Sequence, residues 1–277
     1  MAKSLKPEPR DPKNTLLVDS LNLAFRWKHA GNDYDMPAKF PETVRSLARS
    51  YDCGTIILLA DGGSNWRRSL HPGYKQTRRQ KHENDTPEEK EKSKEFFAYY
   101  DEALKSSNLP VLRYPGVEAD DLAAFIVENK YKLDINDIWL ISSDKDWDLL
   151  IEEDVSRFST VTRKEVTWET WDHPVPPELY IDLKTLMGDK GDDVPGIDGI
   201  GPKRAADLIA KYGDVANLIG NLPLKGTAKY IQNLNAGADT MLLANELMDL
   251  RTYCTTAIGE HLDAFKQELS AIYGKEI

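Results

Sequence analysis

The chain has 277 residues, of which 40% are hydrophobic and 30% are charged, and its formal net charge at pH 7 is −10. This composition predicts a soluble globular protein with one large domain or two, and no apolar run reaches the roughly 18 residues of a membrane helix. The two cysteines, Cys53 and Cys254, are far apart, and the five histidines form no metal-binding cluster. We therefore expect neither disulfides nor a zinc site, and we expect a reducing, cytoplasmic location.

The N-terminal stretch "MAKSLKPEPRDPKN" is charged, and no apolar segment follows it. It predicts a flexible tail over residues 1–14 and not a signal peptide.

Four short apolar runs each end in acidic residues. "TLLVD", "TIILLAD", "LPVLRYPGVEADD" and "DIWLISSD" lead to Asp19, Asp61, Glu118–Asp121 and Asp144. Runs without alternation are typical of parallel strands that are covered on both faces, and helical patterns lie between them, at Glu42–Tyr51, Pro87–Ser106 and Ala119–Tyr131. This alternation predicts an α/β fold with a mostly parallel sheet flanked by helices. In such a fold the site lies beyond the carboxyl ends of the strands, so the acidic endings should meet along one edge.

A basic segment interrupts this acidic pattern. Residues 66–82 contain six Lys or Arg residues and no acid, and "KQTRRQKHEND" at residues 75–85 has no apolar residue. It predicts either an exposed mobile loop or a flexible arm that becomes ordered on a phosphate backbone. Beside it, Tyr74 is either a stacking platform for a base or a plain turn residue. The next helix begins with a capping box formed by Thr86 and Glu89.

Beyond Trp171 the pattern becomes helical. No strand is expected there, and helices are predicted at Glu178–Met187, Pro202–Tyr212, Thr227–Leu234, Asp239–Leu250 and the C-terminus. In "GIDGIGPKRAADLI" a Gly-Ile-Gly turn precedes Pro202, Lys203 and Arg204, which indicates either an anion site at a helix start or a connecting turn.

The motif "SSDKDWDLLIEED" begins like a calcium-binding EF-hand loop. Leu149 and Val155 stand where that loop needs Gly and Glu, so the EF-hand interpretation fails. The motif alone leaves open a phosphatase nucleophile, a glycosyltransferase metal site or a capped turn.

Together the acidic groups indicate metal binding. Unpaired carboxylates at one edge would repel each other, and Mg²⁺, with Mn²⁺ as a substitute, suits ligands that are all oxygen. Two ions about 3.5–4 Å apart serve phosphodiester cleavage, because one activates water and both stabilise the oxyanions. Nine candidate ligands carry most of the net charge: Asp19, Asp61, Glu118, Asp120, Asp121, Asp144, Asp146, Asp189 and Asp192.

From about Thr15 to Tyr253 the chain resembles the structure-specific 5′-nucleases, or flap endonucleases. It resembles in particular the stand-alone bacteriophage 5′-3′ exonucleases related to the 5′-nuclease domain of bacterial DNA polymerase I. The motifs that carry the resemblance are, in order, "LLVDSLN", "LADGG", "YKQTR", "GVEADD", "LISSDKDWDLL", "MGDKGDDVPGIDGIGPKRA" and "KYIQNLNA". The resemblance implies a PIN-like nuclease domain at residues 15–172 with a helical arch at 74–106. It also implies a helical duplex-binding region at 173–277, in which a helix–hairpin–helix at 188–212 is part of a helix–three-turn–helix element.

The resemblance also implies roles for individual residues. Asp19, Asp61, Glu118, Asp120 and Asp121 would form one metal cluster, and Asp144, Asp146, Asp189 and Asp192 would form a second, with Asp144 between the two. Lys75 and Arg78 would contact the scissile phosphate, and with Asp144 and Asp146 they form the expected catalytic set. The expected DNA contacts are Tyr74, Lys75, Arg78, Arg79, Gly199, Gly201, Lys203, Arg204 and Lys229, and the hairpin carbonyls are expected to hold a K⁺ ion.

One position departs from the family pattern. Ser20 follows the first aspartate where the family usually has glycine, and we expect its side chain to shift a metal-bound water without inactivating the protein. Asp148, Asp193 and Asp198 are expected to be structural.

The implied function is a Mg²⁺-dependent nuclease of DNA replication or repair. It would act as a monomer on branched or 5′-ended DNA, without a small-molecule cofactor or a membrane partner. A PIN-type single-strand ribonuclease and a non-catalytic branched-DNA-binding protein are the alternatives. The helical region after Trp171 argues against the first, and the nine acids argue against the second.

Overall fold

The structure is a computed structural model that describes residues 10–277. A six-stranded sheet has the strand order β3-β2-β1-β4-β5-β6. All neighbouring strands are parallel except β6, which runs antiparallel to β5. The predicted mostly parallel sheet is therefore confirmed. The strands are β1 (Asp11–Asp19), β2 (Cys53–Leu59), β3 (Val111–Leu112), β4 (Ile138–Ile141), β5 (Val155–Phe158) and β6 (Glu165–Val166).

Helices flank the sheet and make up the C-terminal half. No helix within residues 10–277 is long and apolar enough to cross a membrane. The first six helices are α1 (Ser20–Ala30), α2 (Met36–Ser50), α3 (Asn65–Leu70), α4 (Gln76–Glu83), α5 (Pro87–Ser106) and α6 (Ala119–Glu128). The others are α7 (Tyr180–Met187), α8 (Pro202–Tyr212), α9 (Val215–Gly220), α10 (Lys229–Asn235), α11 (Ala238–Met248), α12 (Leu250–Ile258) and α13 (Leu262–Tyr273).

Both faces of the sheet are buried, which explains the unbroken apolar runs of the strands. In β1, Leu16 and Val18 point into a core shared with α1, α2 and α5. Leu17 points to the opposite face, into a core shared with α6 and the C-terminal helices. Because successive side chains alternate between faces, a strand covered on both sides has to be apolar at every position.

Two segments differ from the sequence prediction. Strand β1 begins at Asp11, so residues 11–14 of the expected tail belong to the sheet, while residues 1–9 lie outside the described part of the chain. The basic segment forms helix α4, which has no buried side chain, instead of a mobile loop. A polar sequence can form an exposed helix when its ends are fixed. Here Asp193 accepts hydrogen bonds from the backbone nitrogen and the hydroxyl of Thr77, at 2.8 and 2.6 Å.

A buried ion pair links the sheet to the helical half. Asp148 is 2% exposed and accepts a hydrogen bond from Arg157 Nε at 2.5 Å, and its other oxygen bonds His173 at 3.0 Å. Asp148 is therefore structural, as expected. No strand occurs among residues 167–277, in agreement with the helical pattern predicted after Trp171.

The capping box of α5 predicts a local stability effect. Thr86 Oγ1 accepts from the Glu89 backbone nitrogen, and the Glu89 carboxylate accepts from the Thr86 nitrogen. We expect Thr86→Ala to cost about 1 kcal/mol in the first turn of α5, measured as faster amide hydrogen exchange at residues 88–92. The exposed Glu91→Ala serves as the control, and equal exchange in the two variants would contradict the prediction.

Candidate metal centre and active site

The predicted acidic edge forms at the carboxyl ends of the strands. Asp19 is the last residue of β1, Asp61 follows β2, and Glu118 immediately precedes α6. Asp144 follows β4 and accepts a hydrogen bond from the Asp146 backbone nitrogen at 3.0 Å, which caps a short 3₁₀ helix. The topology thus gathers residues from four separate chain segments.

The two predicted clusters lie next to each other. Asp120 of the first cluster lines one small cavity together with Asp146, Asp189 and Asp192 of the second. The charge of Asp144 raises the pKa of Asp19 and of Asp120 on one side, and the pKa of Asp146 on the other, although burial is the larger cause of each rise. Asp144 is therefore close enough to members of both clusters for its charge to act on each, and its role between the two metal clusters stays a prediction.

A buried arginine that the sequence analysis did not single out neutralises part of the first cluster. Arg67, which is 3% exposed, donates to both oxygens of Asp121 at 2.7 Å and to Glu118 Oε2 at 2.7 Å. Its Nε donates to the Leu247 carbonyl at 2.8 Å, so each of the three guanidinium nitrogens makes a hydrogen bond. Asp121 is thus the counter-ion of Arg67 in this structure, and its role as a metal ligand stays a prediction.

The predicted basic pair forms ion pairs with carboxylates of both clusters. Lys75 forms ion pairs with Glu118 and, at 3.5 Å, with Asp192, and Arg78 lies 2.7 Å from the other oxygen of Asp192. Although burial opposes it, the charges of Lys75 and Arg67 lower the pKa of Glu118 to about 2. Glu118 is therefore an anion that protein cations already compensate.

The predicted stacking role of Tyr74 is not available in this structure. Its side chain is 4% exposed and packs with Val194, Leu247 and Met248. The hydroxyl donates towards Glu118 Oε2 and Asp192 Oδ2, at 3.1 Å each. Arg79, another expected DNA contact, donates to the backbone carbonyls of Tyr74 and Pro72 and thereby holds this loop in place.

A second unpredicted cation lies in the second cluster. Lys184 of α7 is 7% exposed, and its Nζ lies 2.5 Å from Asp146 and 3.3 Å from Asp189. Burial opposes its charge, but Asp146 and Asp189 together raise the pKa of Lys184, so it stays protonated. A lysine in an amphipathic helix ordinarily indicates an exposed position, which is why the sequence gives little sign of this one.

Among residues 10–277, four of the nine carboxylates have no cationic hydrogen-bond partner: Asp144 and three others. Asp19 accepts from Ser142 Oγ and the Asn22 nitrogen, Asp61 from the Ala119 nitrogen, and Asp120 from the Trp147 indole at 2.6 Å. Burial and the neighbouring Asp61 raise the pKa of Asp19 to about 8. Burial and neighbouring carboxylates also raise the pKa of Asp120 well above its usual range. At neutral pH the raised pKa therefore keeps Asp19 protonated, and ionisation of these carboxyl groups would leave anions without a cationic partner.

The donor chemistry fits a hard divalent cation. Among residues 10–277, no group of three or more His, Cys, Asp or Glu side chains is arranged to hold one ion as it stands. The reason is visible in the contacts, because four protein cations occupy Glu118, Asp121, Asp146, Asp189 and Asp192. The remaining carboxylates are the oxygen ligands and the excess negative charge that Mg²⁺ or Mn²⁺ would neutralise.

The turn between α7 and α8 is held by main-chain contacts. Asp189 and Val194 exchange backbone hydrogen bonds of 3.0 and 2.7 Å. Gly188 has φ +68°, and a Cβ at that position would lie 2.4 Å from the Gly196 nitrogen. Only glycine allows the two strands of this turn to approach so closely, and this approach places Asp189 beside Lys184.

The hairpin that follows presents exposed basic residues. Gly199 adopts φ +87°, and Gly201 precedes Pro202 at the start of α8. Lys203 and Arg204 are exposed in the first turn of α8, and Lys229 is exposed at the start of α10. Arg204 donates to the Gly199 carbonyl at 2.6 Å and lies 4.7 Å from the centre of the Tyr230 ring, so it also rigidifies the hairpin.

Sequence models of one family match the chain in two parts. The 5′-3′ exonuclease N-terminal resolvase-like domain matches residues 14–173, and the 5′-3′ exonuclease C-terminal SAM fold matches residues 175–269. The chain belongs to the 5′-3′ exonuclease family. That membership confirms the predicted nuclease class.

Individual relatives of the family agree with this assignment. The flap endonuclease of Escherichia phage T5 is 40% identical over 94% of this chain and 92% of its own length. DNA polymerase I of Rhizobium leguminosarum is 32% identical over 91% of this chain, but that match covers only 26% of the polymerase. A crystal structure of the phage T5 flap endonuclease in a pseudo-enzyme–product complex with DNA and metal ions matches with a TM-score of 0.88. That match has 40% identity and covers 95% of this chain and 100% of the T5 chain.

The burial of Arg67 predicts a large stability difference between neighbouring arginines. Arg67→Met would leave Asp121 and Glu118 buried without their guanidinium, so we expect a loss of about 3–5 kcal/mol in urea unfolding with EDTA present. Arg68 is partly exposed and, among the described residues, donates to the Ser64 carbonyl and the Asn65 side chain, so Arg68→Met should cost less than about 1 kcal/mol. Equal losses would show that Arg67 is not the compensating charge.

The raised pKa of Asp19 predicts that metal-free stability depends on pH. In the folded state this carboxyl keeps its proton up to about pH 8, whereas its ordinary pKa is 3.8. The stability it contributes is therefore present in full below about pH 4 and is lost as pH rises through about 8. In EDTA, we expect the Tm to fall between pH 5 and pH 9, and to fall less steeply in Asp19→Asn. Parallel profiles for the two proteins would contradict the assignment.

Proposed function

We propose that this chain is a Mg²⁺-dependent structure-specific 5′-nuclease that cleaves branched or 5′-ended DNA in replication or repair. It would act as a flap endonuclease and 5′-3′ exonuclease, as a cytoplasmic monomer, with Mn²⁺ able to replace Mg²⁺. One observation carries the proposal: an edge of nine carboxylates meets the exposed basic helix α4 through Lys75 and Arg78. In such an arrangement the carboxylates can bind metal cations, and the adjacent lysine and arginine can bind a phosphate.

The residues that would hold the ions form two groups, with Asp144 shared between them. In the part of the chain that the structure describes, Asp19, Asp61, Asp120 and Asp144 have no cationic hydrogen-bond partner, whereas Asp146, Asp189 and Asp192 of the second group are paired with Lys184, Lys75 or Arg78. When bound, two divalent ions would polarise the phosphate and lower the pKa of water, which is the chemistry that phosphodiester hydrolysis needs. Hydrolysis then breaks the bond from phosphorus to the 3′ oxygen, and the products carry a 5′-phosphate and a 3′-hydroxyl.

The basic pair would change partners during this reaction. Without DNA, Lys75 and Arg78 pair with Glu118 and Asp192. A DNA phosphate is an equivalent anionic partner, and Arg78 is exposed enough to reach it. Donors placed at the oxygens of the phosphate would stabilise the charge that develops in the transition state.

The helical region at residues 173–277 would bind the duplex part of the DNA. Lys203, Arg204 and Lys229 are exposed cations beside the hairpin, and the main-chain nitrogens at the start of α8 favour an anion. Residues 194–200 of the hairpin line a hollow, and a K⁺ ion held there by main-chain carbonyls is also part of the proposal. This region argues against a PIN-type ribonuclease, which would lack a hairpin module.

The metal dependence has a direct test. End-labelled 5′-flap DNA should be cut in Mg²⁺ and left intact in EDTA, and Asp144→Asn should lower the single-turnover rate by at least about 100-fold. The exposed Asp263→Asn of α13 is the matched control and should cleave at the wild-type rate, because Asp263 lies outside both the acidic edge and the hairpin. Equal cleavage in Mg²⁺ and EDTA would overturn the metal proposal. Binding without cleavage in Mg²⁺ would favour the non-catalytic alternative.

Two variants test whether different residues determine the cleavage rate and the affinity for duplex DNA. Lys75→Ala should slow cleavage by about 10²–10³-fold with little loss of duplex affinity. Lys203→Ala should weaken binding and reduce the salt dependence of log Kd by about one unit, while the rate with saturating enzyme is kept. Lys211→Ala, on the same helix as Lys203, is the control. Loss of affinity in Lys75→Ala without slower cleavage would reverse the two roles.

A further inference from the structure

Ser20 does not face the carboxylates, contrary to the expectation that its side chain shifts a water at the metal. It is fully buried, and its Oγ lies 2.6 Å from the Leu59 carbonyl and 2.6 Å from the Tyr100 hydroxyl. A carbonyl can only accept, so the single hydroxyl proton of Ser20 goes to Leu59. The Tyr100 hydroxyl must then donate to Ser20, which gives a directed chain from Tyr100 through Ser20 to Leu59.

This chain joins three elements that converge on the active site. Ser20 follows Asp19, Leu59 is the last residue of β2 just before Asp61, and Tyr100 lies on the arch helix α5. Leu59 and Tyr100 are 0% and 1% exposed, so water does not compete for these hydrogen bonds. A movement of α5 would therefore act on the backbone beside two of the uncompensated carboxylates.

The N-terminal part of α5 makes few other contacts that fix the arch to the rest of the protein. Residues 87–95 of α5 have no buried side chain, and the first buried contacts are Phe96 and Tyr100, one helical turn apart. Phe96 stacks on Phe25 of α1 with ring centres 5.2 Å apart, but its contact is apolar and has no direction. Tyr100 supplies the directional bond, while Lys75 and Arg78 fasten the other end of the arch to the second carboxylate cluster.

We propose that Tyr100 and Ser20 are positioning residues, which hold Asp19 and Asp61 in the spacing that divalent ions require and couple that spacing to the arch. The inference rests on the metal dependence proposed above. A role in stability alone predicts a different result, because the cost of losing one partner of a buried hydrogen bond is mostly recovered when both partners become apolar.

The test uses Tyr100→Phe, Ser20→Ala and the double variant of the full chain. Mn²⁺ binding without DNA is followed by electron paramagnetic resonance of the free ion, alongside Tm in EDTA and single-turnover cleavage at varied Mg²⁺. Tyr273→Phe is the matched control, because Tyr273 also bonds a strand hydroxyl, Thr15 Oγ1 at 3.1 Å, but at residues remote from the carboxylates.

We expect each single variant to weaken Mn²⁺ binding by about three- to tenfold, the range that the net free energy of one hydrogen bond corresponds to. The double variant should have a higher Tm than Ser20→Ala, because the Tyr100 hydroxyl is no longer buried without an acceptor, but it should not recover Mn²⁺ affinity. The Mg²⁺ midpoint for cleavage should rise by the same factor. Tyr273→Phe should lower Tm and leave Mn²⁺ binding unchanged.

Recovery of Mn²⁺ affinity together with Tm in the double variant would overturn the positioning role, as would an equal loss of Mn²⁺ affinity in Tyr273→Phe. A wild-type protein that takes up no Mn²⁺ would instead overturn the proposed metal dependence and this inference with it. The two failures are therefore distinguishable.

Discussion

The repulsion between carboxylates at one sheet edge is the constraint on which the rest of the structure depends. Burial makes it severe, because anions removed from water interact strongly and each loses hydration. Four cations offset this repulsion by pairing with the carboxylates. They are Arg67 in α3, Lys75 and Arg78 at the start of α4, and Lys184 in α7. Without them the edge would carry nine uncompensated acids, and the fold could not close around it in the absence of metal.

These cations are of two kinds, and the difference separates folding from chemistry. Arg67 and Lys184 are almost fully buried beside their carboxylate partners. Lys75 and Arg78 are at least partly exposed and lie at the start of α4, which has no buried side chain. The structure thus places buried counter-ions inside the edge and more exposed ones at its entrance.

The sequence predicts the acidic edge well, because the rule that parallel strands end at one edge needs only the apolar runs and the residues after them. It does not predict which cations compensate the acids. Arg67 meets Asp121 across 54 residues, and Lys184 lies in a helix where lysine is ordinarily exposed. Tyr74 is buried by Val194, Leu247 and Met248, residues that no local pattern connects with it. Long-range packing decides these positions, and a single sequence contains no direct record of it.

The close contact of Gly188 with Gly196 has a consequence for where a strand is cut. Asp189 belongs to the acidic edge, and Gly199 begins the hairpin ten residues later, with a turn between them that is fixed by main-chain bonds. The distance between the two is therefore a property of the backbone and not of the side chains that carry charge. Under the proposed function, substitutions on the surface of the hairpin would change its fit to a duplex, whereas the cleavage register, counted in nucleotides from the junction, would stay set by the backbone.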